Sequence, residues 1–108
     1  MTSITFYERA DGEIIGFKSK GHSGYAARGN DIVCASVSIL LINTVNAIDE
    51  LTSDKVNANV NERRATIDFE IDGKPSSEAQ VLLKALKLGA TKIAEEYPGN
   101  VSIQIREV

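Results

Sequence analysis

The chain is organised around GHSGYAARGNDIVCASVS, residues 21–38, in which a loop of glycine and small residues leads into a strongly apolar helix. The only histidine of the chain, His22, stands at its start, and the only cysteine, Cys34, lies in its second half. Asn30 and Asp31 are both good N-cap residues, because a side-chain oxygen there can accept an N–H of the first helical turn. A cap at Asp31 makes Cys34 the third helical residue.

Two interpretations of Cys34 follow from this position. A thiol in the first turn lies near N–H groups without helical partners and near the positive end of the helix dipole, and both favour the thiolate. Paired with His22, it would form a nucleophile and its base. The alternative is a buried, unreactive thiol in the core, because cysteine often fills apolar space and Cys34 has Val33 and Val37 as neighbours in the sequence. Spacing alone leaves both open, because a catalytic Cys and His need not be close in sequence.

The glycines of the loop do not predict a nucleotide site. The loop matches neither G-x-G-x-x-G nor the P-loop, since no Lys-Ser/Thr follows the glycines. Glycines in such a connection between strand and helix can simply supply positive φ angles.

The same residues resemble the signature of a known family. Gly21-His22, the glycine-containing loop and the string GNDIVCA at 29–35 are similar to the signature of the ribosomal-processing cysteine protease family, Prp. The similarity extends over the whole chain and includes the string VNAI at 45–48 of the same helix. The resemblance implies a cysteine endopeptidase that removes a short N-terminal extension from a large-subunit ribosomal protein, and it favours a homodimer.

The resemblance also implies roles for individual residues. The family's catalytic pair falls on His22 and Cys34, with Asp31 and Ser38 in supporting positions. We expect the Cys34 thiolate to attack the scissile carbonyl while His22 acts as general base and then as acid. Amide groups around Val33 and Cys34 would bind the oxyanion. Asp31 caps the helix, orients His22, or does both; Ser38 could hydrogen-bond near the site or back to the helix.

The loop itself is the expected substrate-contacting segment. Gly21, Gly24 and Gly29 would let it move over an extended peptide. Tyr25 could contact that peptide, although an aromatic residue in a loop often only packs against the rest of the protein.

Length and composition limit the other classes of protein to which the chain could belong. At 108 residues, the chain is long enough for one domain, 1–108, and too short for two. The net charge of −3 provides no overall basic field, so we expect no direct nucleic-acid partner. No uninterrupted apolar run approaches the length of a bilayer span, and the N-terminus has no secretory pattern. A single cysteine fits a cytoplasmic protein. With one Cys and one His we expect no metal site and no cofactor.

Hydrophobic periodicity predicts five strands and two helices. The strands are predicted at 4–8, 13–20, 56–60, 65–71 and 101–105, and the helices at 31–51 and 77–97. The second helix is predicted to begin with a capping box of Ser77 and Gln80. This order indicates an α+β domain with two helices on one face of a mostly antiparallel sheet.

Two other functions remain open at this stage. One is a non-catalytic dimeric module that binds a ribosomal protein or assembly factor, with Cys34 in its core. The other is a thiol redox sensor, which is the weaker interpretation because the chain has no resolving cysteine.

Overall fold

A computed structural model of the chain describes residues 1–21 and 31–108. Its elements, in chain order, are β1 (Thr2–Glu8), β2 (Ile14–Lys20), α1 (Ile32–Leu51), β3 (Lys55–Asn61), β4 (Thr66–Asp72), α2 (Ser77–Glu96) and β5 (Val101–Glu107). The order and number of elements confirm the prediction from periodicity. The first and last strands along the chain are longer than the alternation indicated, since β1 begins at residue 2 and β5 continues to residue 107.

The sheet is mostly antiparallel, as predicted. Its strand order is β3-β4-β2-β1-β5, and only the β1–β5 pair is parallel. The core lies between this sheet and the two helices. Its fully buried side chains include Ile4, Phe6 and Phe17 from the sheet, Val33, Leu41 and Ile48 from α1, and Leu83 and Leu86 from α2.

Helix α1 is the most apolar element of the chain. Val33, Val37, Leu41 and Ile48 recur at helical spacing and are all buried, which places one face of the helix in the core. By length and composition α1 also matches a membrane span, with a mean hydropathy of 1.8. Core helices of soluble proteins meet the same criterion, and the buried face of α1 lies in the core of this domain.

The predicted start of α2 is wrong by one residue. Ser76, not Ser77, is the N-cap, and its hydroxyl accepts the N–H of Ala79 at 3.1 Å. Gln80 therefore lies outside a capping box. Its side-chain amide instead accepts the N–H of Ile14 at 2.8 Å and donates to the carbonyl of Ile14. This pair of hydrogen bonds connects α2 to the start of β2. Gln80 therefore makes a long-range contact in place of the predicted capping box.

The two helices pack closely at Gly89 of α2. A Cβ at this position would lie 3.1 Å from Cδ2 of Leu40 in α1, closer than an ordinary contact. Glycine in a helix interior costs about 1 kcal/mol relative to alanine. The close approach of the Leu40 side chain favours glycine at this position, because a larger residue would have to displace it.

Asp54 connects the end of α1 to the start of α2. Its carboxylate accepts the backbone N–H of Ser76 at 2.8 Å and also the Ser76 hydroxyl. Partial burial acts to raise the pKa of Asp54. The hydrogen bonds from Ser76 and from the Thr52 hydroxyl outweigh it and hold this pKa below its ordinary value of 3.8.

We predict that Asp54→Asn lowers the free energy of unfolding by about 1 kcal/mol at neutral pH, because an amide cannot accept both Ser76 donors. The folded-state pKa lies below the unfolded one, so the contribution is complete above 3.8 and fades as the pH falls through the folded value. Urea unfolding at neutral and acid pH measures both effects. Asp72→Asn, at an exposed carboxylate that ends β4, is the control. Equal stabilities of Asp54→Asn and the parent at neutral pH would contradict the assignment.

Candidate active site

Cys34 lies in the first turn of α1, where the sequence placed it. Asp31 is the N-cap, as predicted, and its Oδ1 accepts the N–H of Cys34 at 2.9 Å. Asp31 is buried, whereas Cys34 is half-buried. The Cys34 amide, one of the expected oxyanion donors, thus donates to the Asp31 carboxylate in this structure. The amides of Ile32 and Val33, in the same turn, have no acceptor within the helix.

The Asp31 cap also shapes the electrostatics of the thiol. A carboxylate at a helix start stabilises the helix, and its negative charge offsets part of the positive field that the first-turn amides produce. A positively charged side chain beside the thiol would reinforce what remains of that field. The histidine that the sequence places twelve residues before Cys34 is a group of that kind.

A cleft of about 290 Å³ opens beside Cys34. It lies between the first half of α1 and the adjoining ends of β2, β3 and β4. Among the described residues its lining consists of Thr2, Ser19, Gly21, Cys34, Val37, Ser38, Ile42, Val60, Asn61, Glu62, Ala65, Thr66 and Ile67. Cys34 is thus part of a cleft wall and not a filler of the core, which argues against the alternative of a buried, unreactive thiol. Ser38, one helical turn further, lines the same cleft.

One wall of this cleft is apolar. Val37 and Ile67 are buried at its base, while Ile42 is 39% exposed and Val60 is 50% exposed. Val60 belongs to β3, the edge strand of the sheet, and pairs with Ile67 of β4. Two exposed aliphatic side chains on facing elements leave a surface that an apolar ligand group would cover.

Gly21 fixes the edge of the cleft at the point where β2 ends. Its φ is +92°, and a Cβ at this position would lie 2.5 Å from the carbonyl oxygen of Met1. Its N–H donates to the carbonyl of Ala65 at 2.9 Å, and its own carbonyl accepts the Thr2 hydroxyl at 3.3 Å. Only glycine satisfies both the backbone angle and the close approach.

Four predicted residues lie outside the described ranges. They are His22 of the proposed pair and Gly24, Tyr25 and Gly29 of the proposed substrate loop. The structure thus brings together Cys34, Asp31, Ser38 and Gly21 on one side of the domain. The pairing of His22 with Cys34 stays a prediction.

A second groove, of about 530 Å³, lies elsewhere on the sheet. The described residues that line it include Tyr7, Lys18, Asp68 and Glu70, and Lys18 pairs with Asp68 at 3.8 Å. None of them provides a thiol or an imidazole. Of these two clefts, the smaller one contains the Cys34 thiol.

Comparison with known proteins assigns the family. The family model Peptidase_Prp, described as cysteine protease Prp, matches residues 1–102. The chain belongs to the Prp family. Curated Prp relatives from Staphylococcus aureus and Bacillus subtilis are 27% and 26% identical, covering 98% and 95% of this chain and 100% and 96% of their own lengths. Both are called ribosomal processing cysteine protease Prp.

Solved Prp structures share the fold. An S. aureus Prp with a covalently linked product peptide superposes with a TM-score of 0.93 at 27% identity, over 98% of this chain and all of that one. The Streptococcus mutans protein SMU.848 gives 0.85 at 31% identity, over all of this chain and 99% of its own. The α+β prediction is confirmed. As a member of the Prp family, the chain is a cysteine peptidase.

Sequence reasoning missed several residues of this cleft. Thr2 stands far from Cys34 in the sequence, and no motif signals it. Val60 and Ile42 carried a weak signal, since both are aliphatic residues in amphipathic elements. The spacing of apolar residues along the sequence assigns both to an apolar face of their element. It does not reveal that this face remains partly exposed to solvent.

We predict that Gly21→Ala is more destabilising than Gly73→Ala. Both glycines have positive φ angles, +92° and +86°, but nothing lies within 4 Å of a Cβ at Gly73. Gly73→Ala should therefore lower the free energy of unfolding by about 1 kcal/mol, which is the strain of an alanine in a left-handed backbone conformation. Gly21→Ala adds the collision with the Met1 carbonyl. Chemical denaturation of the two variants measures the difference, and equal losses would show that the close approach does not constrain Gly21.

Proposed function

We propose that this protein removes the N-terminal extension of a large-subunit ribosomal protein during ribosome assembly, with Cys34 as nucleophile and His22 as general base. The observation that carries the proposal is the position of Cys34 in the first turn of α1, in the wall of a cleft. The names of its relatives, which describe ribosomal processing cysteine proteases, support the substrate class.

In the proposed reaction, the Cys34 thiolate attacks the scissile carbonyl and forms a thioester. His22 accepts the thiol proton, donates a proton to the departing amine and then activates the water that hydrolyses the thioester. The charge of Asp31 beside the helix start makes an imidazolium partner more important, because the amide field alone is partly neutralised.

The oxyanion of the tetrahedral intermediate would bind at the start of α1. With the Cys34 amide donating to Asp31, the amide of Val33 is the donor we assign to it. Ser38, in the same cleft, is a possible second contact to the peptide.

The apolar wall of the cleft supports an apolar or aromatic residue before the cut. Ile42 and Val60 offer exposed aliphatic surface, and Val37 and Ile67 close the base. A volume of about 290 Å³ accommodates a short piece of extended chain, not a folded domain. An N-terminal extension has that form, so the size of the cleft supports the proposed substrate.

We further propose that the protein is a cytoplasmic homodimer. The outer face of α1 supports self-association, because Ile32 and Ile39 are 59% and 69% exposed on it. A lone cysteine is consistent with a reducing compartment, where thiol catalysis needs no protection from disulfide formation.

We predict that Cys34→Ala abolishes cleavage of a precursor peptide and that Cys34→Ser nearly does so, with the fold retained in both. His22→Ala should also lose most activity. Peptide cleavage followed by mass spectrometry, with circular dichroism as the check on folding, tests all three. Ser36→Ala is the matched control, since Ser36 is an exposed α1 residue whose hydroxyl donates to the carbonyl of Ile32. Full activity of Cys34→Ala would rule the mechanism out, and an unchanged rate in His22→Ala would remove the proposed base.

We predict that Val60→Asn lowers kcat/KM for a precursor peptide by roughly tenfold, the scale of one apolar contact in a substrate pocket. Alkylation of Cys34 by iodoacetamide should stay at the parent rate, since the thiol is untouched. Leu88→Asn, at a residue of α2 that is 60% exposed, is the control for changing a surface aliphatic side chain. Parent-like kcat/KM in Val60→Asn would remove this wall from substrate recognition.

A further inference from the structure

Ser19 is a buried polar residue at the base of the active-site cleft. It pairs with Ile4 of β1 and with Ile67 of β4, so the three side chains share the face of the sheet that carries the core. Ser19 is 5% exposed, and it lines the cleft together with Cys34. A hydroxyl among aliphatic side chains loses contact with water, and this loss is costly unless a hydrogen bond replaces it.

The Ser19 hydroxyl makes no hydrogen bond to any other described residue. The two other buried hydroxyls of these residues, on Thr2 and Thr44, both donate to main-chain carbonyls. Within the described ranges, every fully enclosed side-chain oxygen or nitrogen has a partner, so the Ser19 oxygen must be open to the cleft. Ser19 therefore presents a nearly buried donor and acceptor to whatever enters the cleft.

The small size of Ser19 also explains why the cleft reaches into the core. At the neighbouring positions on the same face of the sheet, Phe6, Phe17 and Phe69 pair across β1, β2 and β4. These three rings are buried side by side, with centroids 6.1 Å and 5.2 Å apart. Two residues further along β2, a serine stands in place of an aromatic residue. The space that a larger side chain would fill is left open beside Cys34.

A side chain that fills this cleft needs an apolar body and one uncharged polar end. The body would lie against the exposed aliphatic surface of Ile42 and Val60. The end would reach Ser19, where a charged group would be unfavourable, because the one charged residue among the described lining residues, Glu62, is exposed. Tyrosine has this form, since its ring is apolar and its O–H needs a hydrogen-bond partner when it is buried.

We propose that Ser19 is a specificity-determining residue: its hydroxyl hydrogen-bonds to the phenol of a tyrosine that precedes the cut, and so favours tyrosine over phenylalanine there. The inference rests on the proposed function, because it takes Cys34 as the nucleophile. The scissile carbonyl belongs to the residue before the cut, so the side chain of that residue lies beside the attacking sulfur, where the cleft opens. A phenylalanine would fill the same space but leave the Ser19 hydroxyl buried without a partner.

The test uses two precursor peptides that differ only in carrying tyrosine or phenylalanine before the cut. We expect the parent protein to cleave the tyrosine peptide with a kcat/KM roughly fivefold higher, the scale of one neutral hydrogen bond. Ser19→Ala removes the hydroxyl and should bring this ratio to about one. A variant that is merely less stable would lower kcat/KM for both peptides alike, so the ratio separates recognition from stability.

Thr44→Val is the matched control for loss of a buried hydroxyl. Thr44 is 6% exposed, and its hydroxyl donates at 2.8 Å to the carbonyl of Leu40 within α1. It is not among the described residues that line the cleft. We expect the ratio of this variant to match that of the parent, whatever its loss of stability.

Cleavage of the unaltered precursor peptide is the reference for the proposed function. Equal kcat/KM values for the two peptides in the parent, or an unchanged ratio in Ser19→Ala, would overturn the role of Ser19 and leave the cysteine mechanism in place. Cleavage of the unaltered precursor but not of the tyrosine peptide would have the same meaning. A parent protein that cleaves none of the three peptides would overturn the proposed function, and the role of Ser19 with it.

Discussion

The hydrogen bond from the Cys34 amide to the Asp31 carboxylate is the interaction on which the site depends. It fixes where α1 begins, and it therefore fixes the turn in which the thiol stands. The same helix carries Val37, Leu41 and Ile48 into the core, so the position of the thiol is tied to the packing of the whole domain. A cap substitution would consequently affect the fold and the site together.

The cleft exists because the sheet extends beyond the cover that the helices provide. Strand β3 lies at the edge, next to β4, and its Val60 remains half exposed while its partner Ile67 is buried. On the other side, α1 turns Ile42 outward. In a protein without a ligand these side chains would be a liability for aggregation. Beside the Cys34 thiol they form an apolar surface, and the proposed function assigns this surface to the apolar part of a peptide substrate.

The sequence predicted local features well because local physics determines them. The cap at Asp31, the length of α1 and the alternation of the strands depend on residues close together in the chain. The predicted start of α2 was wrong because contacts between residues distant in the sequence act there. Ser76 and Ser77 are equally suitable caps by type. The long-range hydrogen bonds that Ser76 donates to Asp54 and that the Ile14 N–H donates to Gln80 favour the cap at Ser76. The contact of Thr2 with Gly21, nineteen residues apart, was beyond prediction for that reason.

The proposed mechanism requires the Cys34 sulfur to act as the nucleophile toward a bound peptide. The most direct measurement is intact-protein mass spectrometry after incubation with a precursor peptide that ends in a chloromethyl ketone at the cleavage position, followed by peptide mapping. The thiolate displaces chloride and forms a stable thioether, so we predict one adduct per chain, located on the peptide that contains Cys34 and absent in Cys34→Ala. Cleavage of the precursor by a protein that forms no adduct at Cys34, or an adduct at another residue, would contradict it.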